Sequence, residues 1–323
     1  RRVRGAGIQM NSIVVENPGL LTTIQDFGRP GYGPLGISPS GAADPVALHL
    51  GNLLVGNEAG AAALEMTLLG GNFVFGSDTV IALAGSDFAA SLNGRPLETW
   101  HSYRVASGEK LVASATKDGA RCYLCIAGTL DVKPFLGSAA THLLSGLGGF
   151  EGRALRKGDV IPFRDPITTR RGERRLSASV ADKLRRRGVL RVTEGPQSDI
   201  FSAATTKLFY ESAFRVTEDS NRLGLRLEGP ALPSSTVTEM ITEGVSLGAI
   251  QITPAGQPII LFVEQQTTGG YPKIANVIGA DMFRIGQLRP RDSARFERVS
   301  MSQARAAWIE LQQLLASGDK LFA

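Results

Sequence analysis

The sequence predicts a mainly β protein of two strand-rich units, built as barrels or sandwiches, with a few short helices and one helix near its C-terminal end. Three observations carry this. Glycine is abundant, at 38 residues, and recurs between short apolar runs, the pattern of short strands joined by tight turns. Stretches with a 3.6-residue apolar period are few. A basic stretch containing Ser and Thr separates two regions, each with enough apolar runs for its own core. The length of 323 residues agrees with two domains at ~150 residues apiece. At 43% hydrophobic and 20% charged residues, the composition is that of a soluble globular protein rather than a disordered or collagenous chain.

The elements follow in chain order. Residues 1–12 precede the first strand core, and the first nine, unlike anything after them, read as an upstream extension or appended remnant. Short apolar runs predict strands at 13–15, 72–75, 79–84, 88–92, 110–114 and 121–126, then at 189–192, 213–216, 249–252 and 258–263. A helix is predicted to start at Asp44-Pro45, where Asp caps free N–H groups and Pro takes the tolerated first position. Val46, Leu50, Leu53 and Leu54 give it an apolar face, and Gly56-Asn57 stops it. His49 on this helix reads as a surface or capping contact. A second helix, 302–315, sets Trp308, Ile309, Leu311 and Leu315 at helical spacing, to cover a barrel end or meet a partner. A shorter helix follows Ser198-Asp199. The unit boundary falls near residue 188, giving a first unit at 13–187, with a basic connection at 164–187, and a second at 188–323.

Charge is segmental. The net charge is +5, yet residues 164–191 hold ten basic side chains against three carboxylates, and Arg1, Arg2 and Arg4 open the chain. Everything else sums to −5. No aromatic residue lies between Phe163 and Phe201 to stack on bases, so the basic stretch reads as a solvated connection and nucleic acid is not an expected partner. No run of ~18 apolar residues exists to form a transmembrane helix, so no membrane is expected and the cytoplasm is the default compartment. Cys122 and Cys125 form a C-x-x-C, but on a strand i and i+3 point to opposite faces, which predicts two reduced, structural thiols. His49, His101 and His142 are scattered without metal-ligand spacing, so no metal is expected.

Four segments combine glycines with unusual polar residues, as loops on a rigid scaffold do. Thr22 to Gly33 brings Gln25, Asp26 and Arg29 into one tight turn, with Ser40 shortly after. Leu136 to Arg153 is glycine-dense but matches no Walker A loop. A third region joins Gln197 and Asp199 to Ser220 and Arg222. In the fourth, a buried strand runs out into Glu264, Gln265, Gln266, Thr267, Thr268, Gly269, Gly270, Tyr271 and Lys273. Amides and hydroxyls beside glycines that permit close approach suit a small amide or planar ureido group, with Lys273 placed to neutralise oxyanion or carboxylate charge.

The runs I-V-V-E-N-P-G-L-L-T-T-I-Q-D-F-G-R-P-G-Y, S-G-A-A-D-P-V-A-L, G-P-Q-S-D-I-F, S-N-R-L-G-L-R-L-E-G, E-G-V-S-L-G-A-I-Q-I and Q-T-T-G-G-Y-P-K-I-A resemble one family from about Ile13 to Phe296. It is the biotin-dependent carboxyltransferase domain family, subdomains A and B, also called allophanate hydrolase subunit 2. The resemblance implies two cyclophilin-like β-barrel subdomains, and a partner resembling allophanate hydrolase subunit 1. Stand-alone members are similar to the C subunit of the ATP-dependent 5-oxoprolinase, which opens 5-oxoproline to glutamate beside a protein like that enzyme's A subunit. Fused members are similar to the module that moves a carboxyl group from carboxybiotin to urea. The first implies an amide-hydrolase component, inactive alone. The alternatives are a carboxyltransferase half served by a biotin carrier, and a non-catalytic partner of a kinase inhibitor. In each case ATP or carboxybiotin is expected through partner proteins, with no cofactor held covalently here.

Carried onto this chain, the resemblance implies catalytic roles for Asp26, Gln266 and Lys273. It implies substrate binding by Gln25, Arg29, Ser40, Gln197, Arg222, Glu264, Thr267, Thr268, Gly269, Gly270 and Tyr271. Ala139, Ala140 and Leu144 depart from a family segment that usually reads G-S-R-S-T followed by another arginine, and Glu264 replaces the usual Asp.

Overall fold

The computed structural model describes residues 11–165, 173–185, 188–234 and 240–323. The extension at 1–9 therefore lies outside the described residues. The architecture is mainly β. In the N-terminal half a five-stranded sheet runs in the order Leu21–Gln25, Ala63–Thr67, Arg121–Ile126, Thr79–Gly85, His101–Val105. A seven-stranded sheet runs Thr129–Leu130, Val160–Arg164, Ser12–Asn17, Asn72–Phe75, Lys110–Val112, Ser91–Leu92, Arg95–Pro96. Ile13, Phe73, Phe75, Leu64, Met66 and Leu124 are wholly buried together in one core cluster drawn from both sheets.

The strand Arg121–Ile126 lies between two partners and is buried at all six positions. Its side chains alternate, with Cys122, Leu124 and Ile126 in that core and Tyr123 and Cys125 in a second one. The two thiols are free and diverge, as strand geometry requires. The second core is built under helix α1, Pro45–Val55. Asp44 caps it by accepting from the Ala47 N–H at 2.8 Å, and Gly56 ends it at φ +84°. Gly51 faces Cys125 Sγ so closely that a methyl there would lie 2.6 Å from the sulfur. That closeness lets the helix settle onto the sheet.

Helix α2, Ala178–Leu184, adds Val180 to the same core. The basic stretch is thus not a bare connection where it is described. Leu176 and Val180 are buried, and Arg174 donates to the Leu53 carbonyl at 3.1 Å while lying over the Phe322 ring. Apolar side chains spaced among the cations outweigh their preference for water. Residues 166–172 and 186–187 lie outside the described set.

The C-terminal half holds a closed barrel in the order Val189–Glu194, Lys273–Val277, Ala249–Ile252, Pro258–Leu261, Gly224–Glu228, Phe214–Val216, Ser293–Arg298. It closes through a parallel pairing of its first and last strands, Val189 opposite Arg295 through Val192 opposite Arg298, which leaves no open edge. Helix α3, Ala203–Glu211, packs on it, with the Phe209 ring stacked on Phe296 at 4.6 Å. Helix α4, Met282–Ile285, leads back toward α1. Helix α5, Met301–Leu315, opens with a Ser300–Gln303 capping box and buries only Leu315.

The two halves are joined by buried side chains. Gln287 Oε1 accepts from Ser86 Oγ at 2.8 Å and from the Arg121 N–H at 3.1 Å, and its Nε2 donates to Asp44 at 2.8 Å. Arg121 returns a bond to the Gly286 carbonyl at 2.8 Å. No helix among the described residues is long and apolar enough to cross a membrane.

Candidate functional site

The segments singled out in the sequence meet where the two halves abut. Leu21–Gln25 is a strand, and its last residue delivers Gln25, wholly buried, to the mouth of the N-terminal sheet. Gln25 Nε2 donates to Thr23 Oγ1 at 3.0 Å and to the Thr141 carbonyl at 3.1 Å, leaving Oε1 buried without a partner among the described residues. Asp26 uses both oxygens to hold loops. Oδ1 accepts from the Gly28 N–H at 2.7 Å and Ser138 Oγ at 2.6 Å, and Oδ2 from the Ala139 N–H at 2.6 Å. Gly28, at φ +82°, lies against the Ser40 carbonyl and has no room for a side chain.

Arg29 is 1% exposed. It donates through Nε to the Phe135 carbonyl at 3.3 Å and through Nη2 to the Ala140 carbonyl, while Nη1 has no partner among the described residues. Burial lowers its pKa, opposed by the charges of Asp26 and Glu264. Ser40, at φ +56°, donates to the Thr141 carbonyl at 2.7 Å, and its N–H donates to the Val263 carbonyl. Gln25 and Ser40 on the Thr141 carbonyl and Arg29 on the Ala140 carbonyl therefore converge on adjacent residues of the glycine-rich loop.

From the other half, Arg222 reaches between two carboxylates. Nε meets Glu264 Oε1 and Nη1 meets Glu65 Oε1, each at 2.5 Å, and Nη2 donates to the Gly41 carbonyl at 2.6 Å. All three charged residues are almost fully buried. Glu65 Oε2 also accepts from Tyr123 Oη at 2.6 Å and the Ala43 N–H at 2.8 Å, and burial pushes the Tyr123 phenol well up, with Glu65 adding to it. Glu264 Oε2 accepts from the Leu143 N–H at 3.2 Å.

A second group stands on the barrel side. Lys273, 3% exposed, sits with Nζ 2.6 Å from Glu243 Oε1. Gln197 Nε2 donates to the same carboxylate at 2.7 Å, and its Oε1 accepts from the Lys273 N–H. These hydrogen bonds, Lys273 first, lower the Glu243 pKa. Thr268–Gly269 pairs with Glu243–Gly244 as a two-stranded ribbon. Gln266, Thr268 and Tyr271 are exposed on it, Thr267 and Gly270 half-buried, and Gly269 buried. The sequence-predicted residues thus fall into an inner group around Arg29 and Arg222 and an outer ribbon carrying Gln266, Lys273 and Tyr271.

Sequence reasoning missed Ser38, Glu65, Tyr123 and His142, and named Gln265 within the fourth segment without giving it a role. Glu65 and Tyr123 lie in apolar strand runs that give no sign of chemistry. His142 has no ligand-spaced neighbour to draw notice, although its Nε2 lies 2.8 Å from Ser38 Oγ. Gln265 is buried, donating to the Val245 carbonyl at 3.3 Å with Oε1 unpartnered among the described residues. Among the described residues no group of three or more His, Cys, Asp or Glu could hold a metal ion.

The carboxyltransferase domain, subdomain A and B, matches residues 35–298. The 5-oxoprolinase C subunit of Escherichia coli is 37% identical over 297 residues, covering 90% of this chain and 92% of that protein. The urea amidolyase of Lachancea kluyveri is 33% identical over 317 residues, covering 90% of this chain but 17% of the amidolyase. The crystal structure of Kluyveromyces lactis urea carboxylase superposes with a TM-score of 0.88 at 28% identity, over 99% of this chain and 31% of the carboxylase. Length, motifs and fold agree, and the chain belongs to the carboxyltransferase domain family, subdomains A and B.

Proposed function

We propose that this chain is the C subunit of a 5-oxoprolinase-type enzyme, opening a small lactam in complex with a partner like allophanate hydrolase subunit 1 and a protein like the 5-oxoprolinase A subunit. Its similarity to a 5-oxoprolinase C subunit over nearly the whole of both chains supports this. The observation in the site that carries it is a pair of buried atoms unpartnered among the described residues, the Gln25 acceptor and the Arg29 donor, on side chains anchored to the adjacent Thr141 and Ala140 carbonyls. A buried polar atom without a partner costs ~1–3 kcal/mol, and an amide supplies the complement, an N–H for Gln25 Oε1 and a carbonyl oxygen for Arg29 Nη1. Charge growing on that oxygen during attack strengthens the arginine bond, so binding turns into transition-state stabilisation. The buried Glu65–Arg222–Glu264 assembly holds the loops in register. Lys273, paired with Glu243, balances carboxylate charge at the outer ribbon. ATP is consumed by the assembled complex, with its site on another protein of that complex.

Reconstitution tests this. The chain alone is expected to leave 5-oxoproline intact, whereas the chain with both of these partners releases glutamate only when ATP is present. Activity that instead requires a biotinylated carrier, bicarbonate and urea would replace this reading with carboxyl transfer, which the amidolyase and carboxylase relatives favour.

A further inference from the structure

His142 is nearly fully buried in the inner group, on the loop that covers Gln25 and Arg29. Its Nδ1 lies 3.2 Å from the Ser145 N–H. A backbone N–H only donates, so Nδ1 must present a lone pair, and a neutral imidazole then carries its proton on Nε2. That proton points at Ser38 Oγ, 2.8 Å away. Ser38 is therefore an acceptor toward His142 and keeps its own proton to give. This polarity is the reverse of a nucleophilic dyad, in which the imidazole takes the hydroxyl proton.

We propose that His142 is a positioning residue of this site: held as the Nε2–H tautomer, it turns the Ser38 hydroxyl into a hydrogen-bond donor toward the substrate and keeps the glycine-rich loop folded over Gln25 and Arg29. This rests on the amide-binding reading of the same site. The loop is tied at His142 by reciprocal bonds with Leu147, at Leu143 by Glu264, and at Gly149 by the Ala139 carbonyl. Adding a proton to Nδ1 sets one N–H against another at Ser145 and loosens the turn. The charged groups facing the ring are Glu264, Arg29 and Arg222. Burial is the largest influence and lowers the His142 pKa, with Glu264 opposing it and the two arginines reinforcing it. The neutral form accordingly prevails at neutral pH.

The chain has three histidines, so ring-nitrogen NMR of histidine-labelled protein resolves each one. One ring, absent in His142→Gln, is expected as the Nε2–H tautomer with a titration midpoint below the ordinary ~6.5. Ser38→Ala should perturb that ring alone. An Nδ1–H tautomer, or an imidazolium at neutral pH, would overturn the proposal. In the reconstituted complex, His142→Gln keeps a donor to Ser38 and should hold kcat within about tenfold while losing the acid limb of the wild-type pH profile. Ser38→Ala should lower kcat and retain that limb. An unchanged acid limb in folded His142→Gln would also overturn it. If His142→Gln does not fold, His142→Asn, which keeps an acceptor for Ser145, takes its place. If the complex leaves lactam untouched, the function proposed above fails, and the tautomer measurement still decides this one.

Discussion

At Arg222 one guanidinium serves two buried carboxylates, one from each half of the chain, and this makes it the least replaceable side chain in the inner group. Arg222→Ala leaves Glu65 and Glu264 buried without that cation. Breaking one partner of a buried pair costs about 3–5 kcal/mol, so the midpoint of urea unfolding should fall accordingly, and Arg222→Lys, unable to fork, should recover only part of it. Gln266 stands at the other extreme. Its exposed side chain contributes little to folding, and Gln266→Ala is expected to lower turnover of the reconstituted complex by roughly 10²-fold at unchanged melting temperature. Unaltered turnover would remove the outer ribbon from the chemistry. The identity of Gln25, Asp26, Arg29 and Arg222 as unusual residues was legible in the sequence. Their division of labour was not, because whether a carboxylate such as Asp26 faces ligand or loop depends on partners more than 100 residues away, Ser138 and Ala139.

Among the elements, the glycine-rich loop is the most tightly specified. Gly148 and Gly149, at φ +64° and +55°, leave no room for a methyl, which would overlap the Ala140 carbonyl and the Thr141 hydroxyl. Gly148→Ala should therefore unseat the loop from Arg29, abolish lactam turnover and expose 142–149 to protease, at a cost above ~1 kcal/mol. Helices α1 and α5 were predicted nearly to the residue, because each carries its cap and an apolar stripe within a few turns. Several strands were not. Leu21–Gln25, Gly224–Glu228 and Lys273–Val277 overlap stretches read as loops, since they lie beside or carry site residues whose glycines and polar groups mask the period-2 pattern.

For the molecule as a whole, the Gln287 side chain bridges the halves through Ser86, Arg121 and Asp44. Gln287→Ala removes these buried hydrogen bonds between the halves, which predicts a loss of about 2–4 kcal/mol and a calorimetric transition that broadens or splits as the halves lose their common clasp. Acid should act on the same clasped body. Burial lowers the pKa of both His49 and His142. The unfolded chain then takes up protons first as pH falls, so their contribution to stability is complete above ~6.5 and is lost on acidification through the folded-state values. Thermal melts from about pH 7.5 to 5 should show that decline, reduced in His142→Gln.

The strand Arg121–Ile126 gives the protein a pair of built-in gauges. Cys122 and Cys125 look into different cores from one backbone, and burial pushes both thiols up out of reactive range. An alkylating reagent can then register only molecules that have opened. Mass spectrometry of each cysteine under mild urea would time two events separately, the parting of the sheets at Cys122 and the lifting of α1 at Cys125. Equal labelling rates would mean that the N-terminal half yields as one piece.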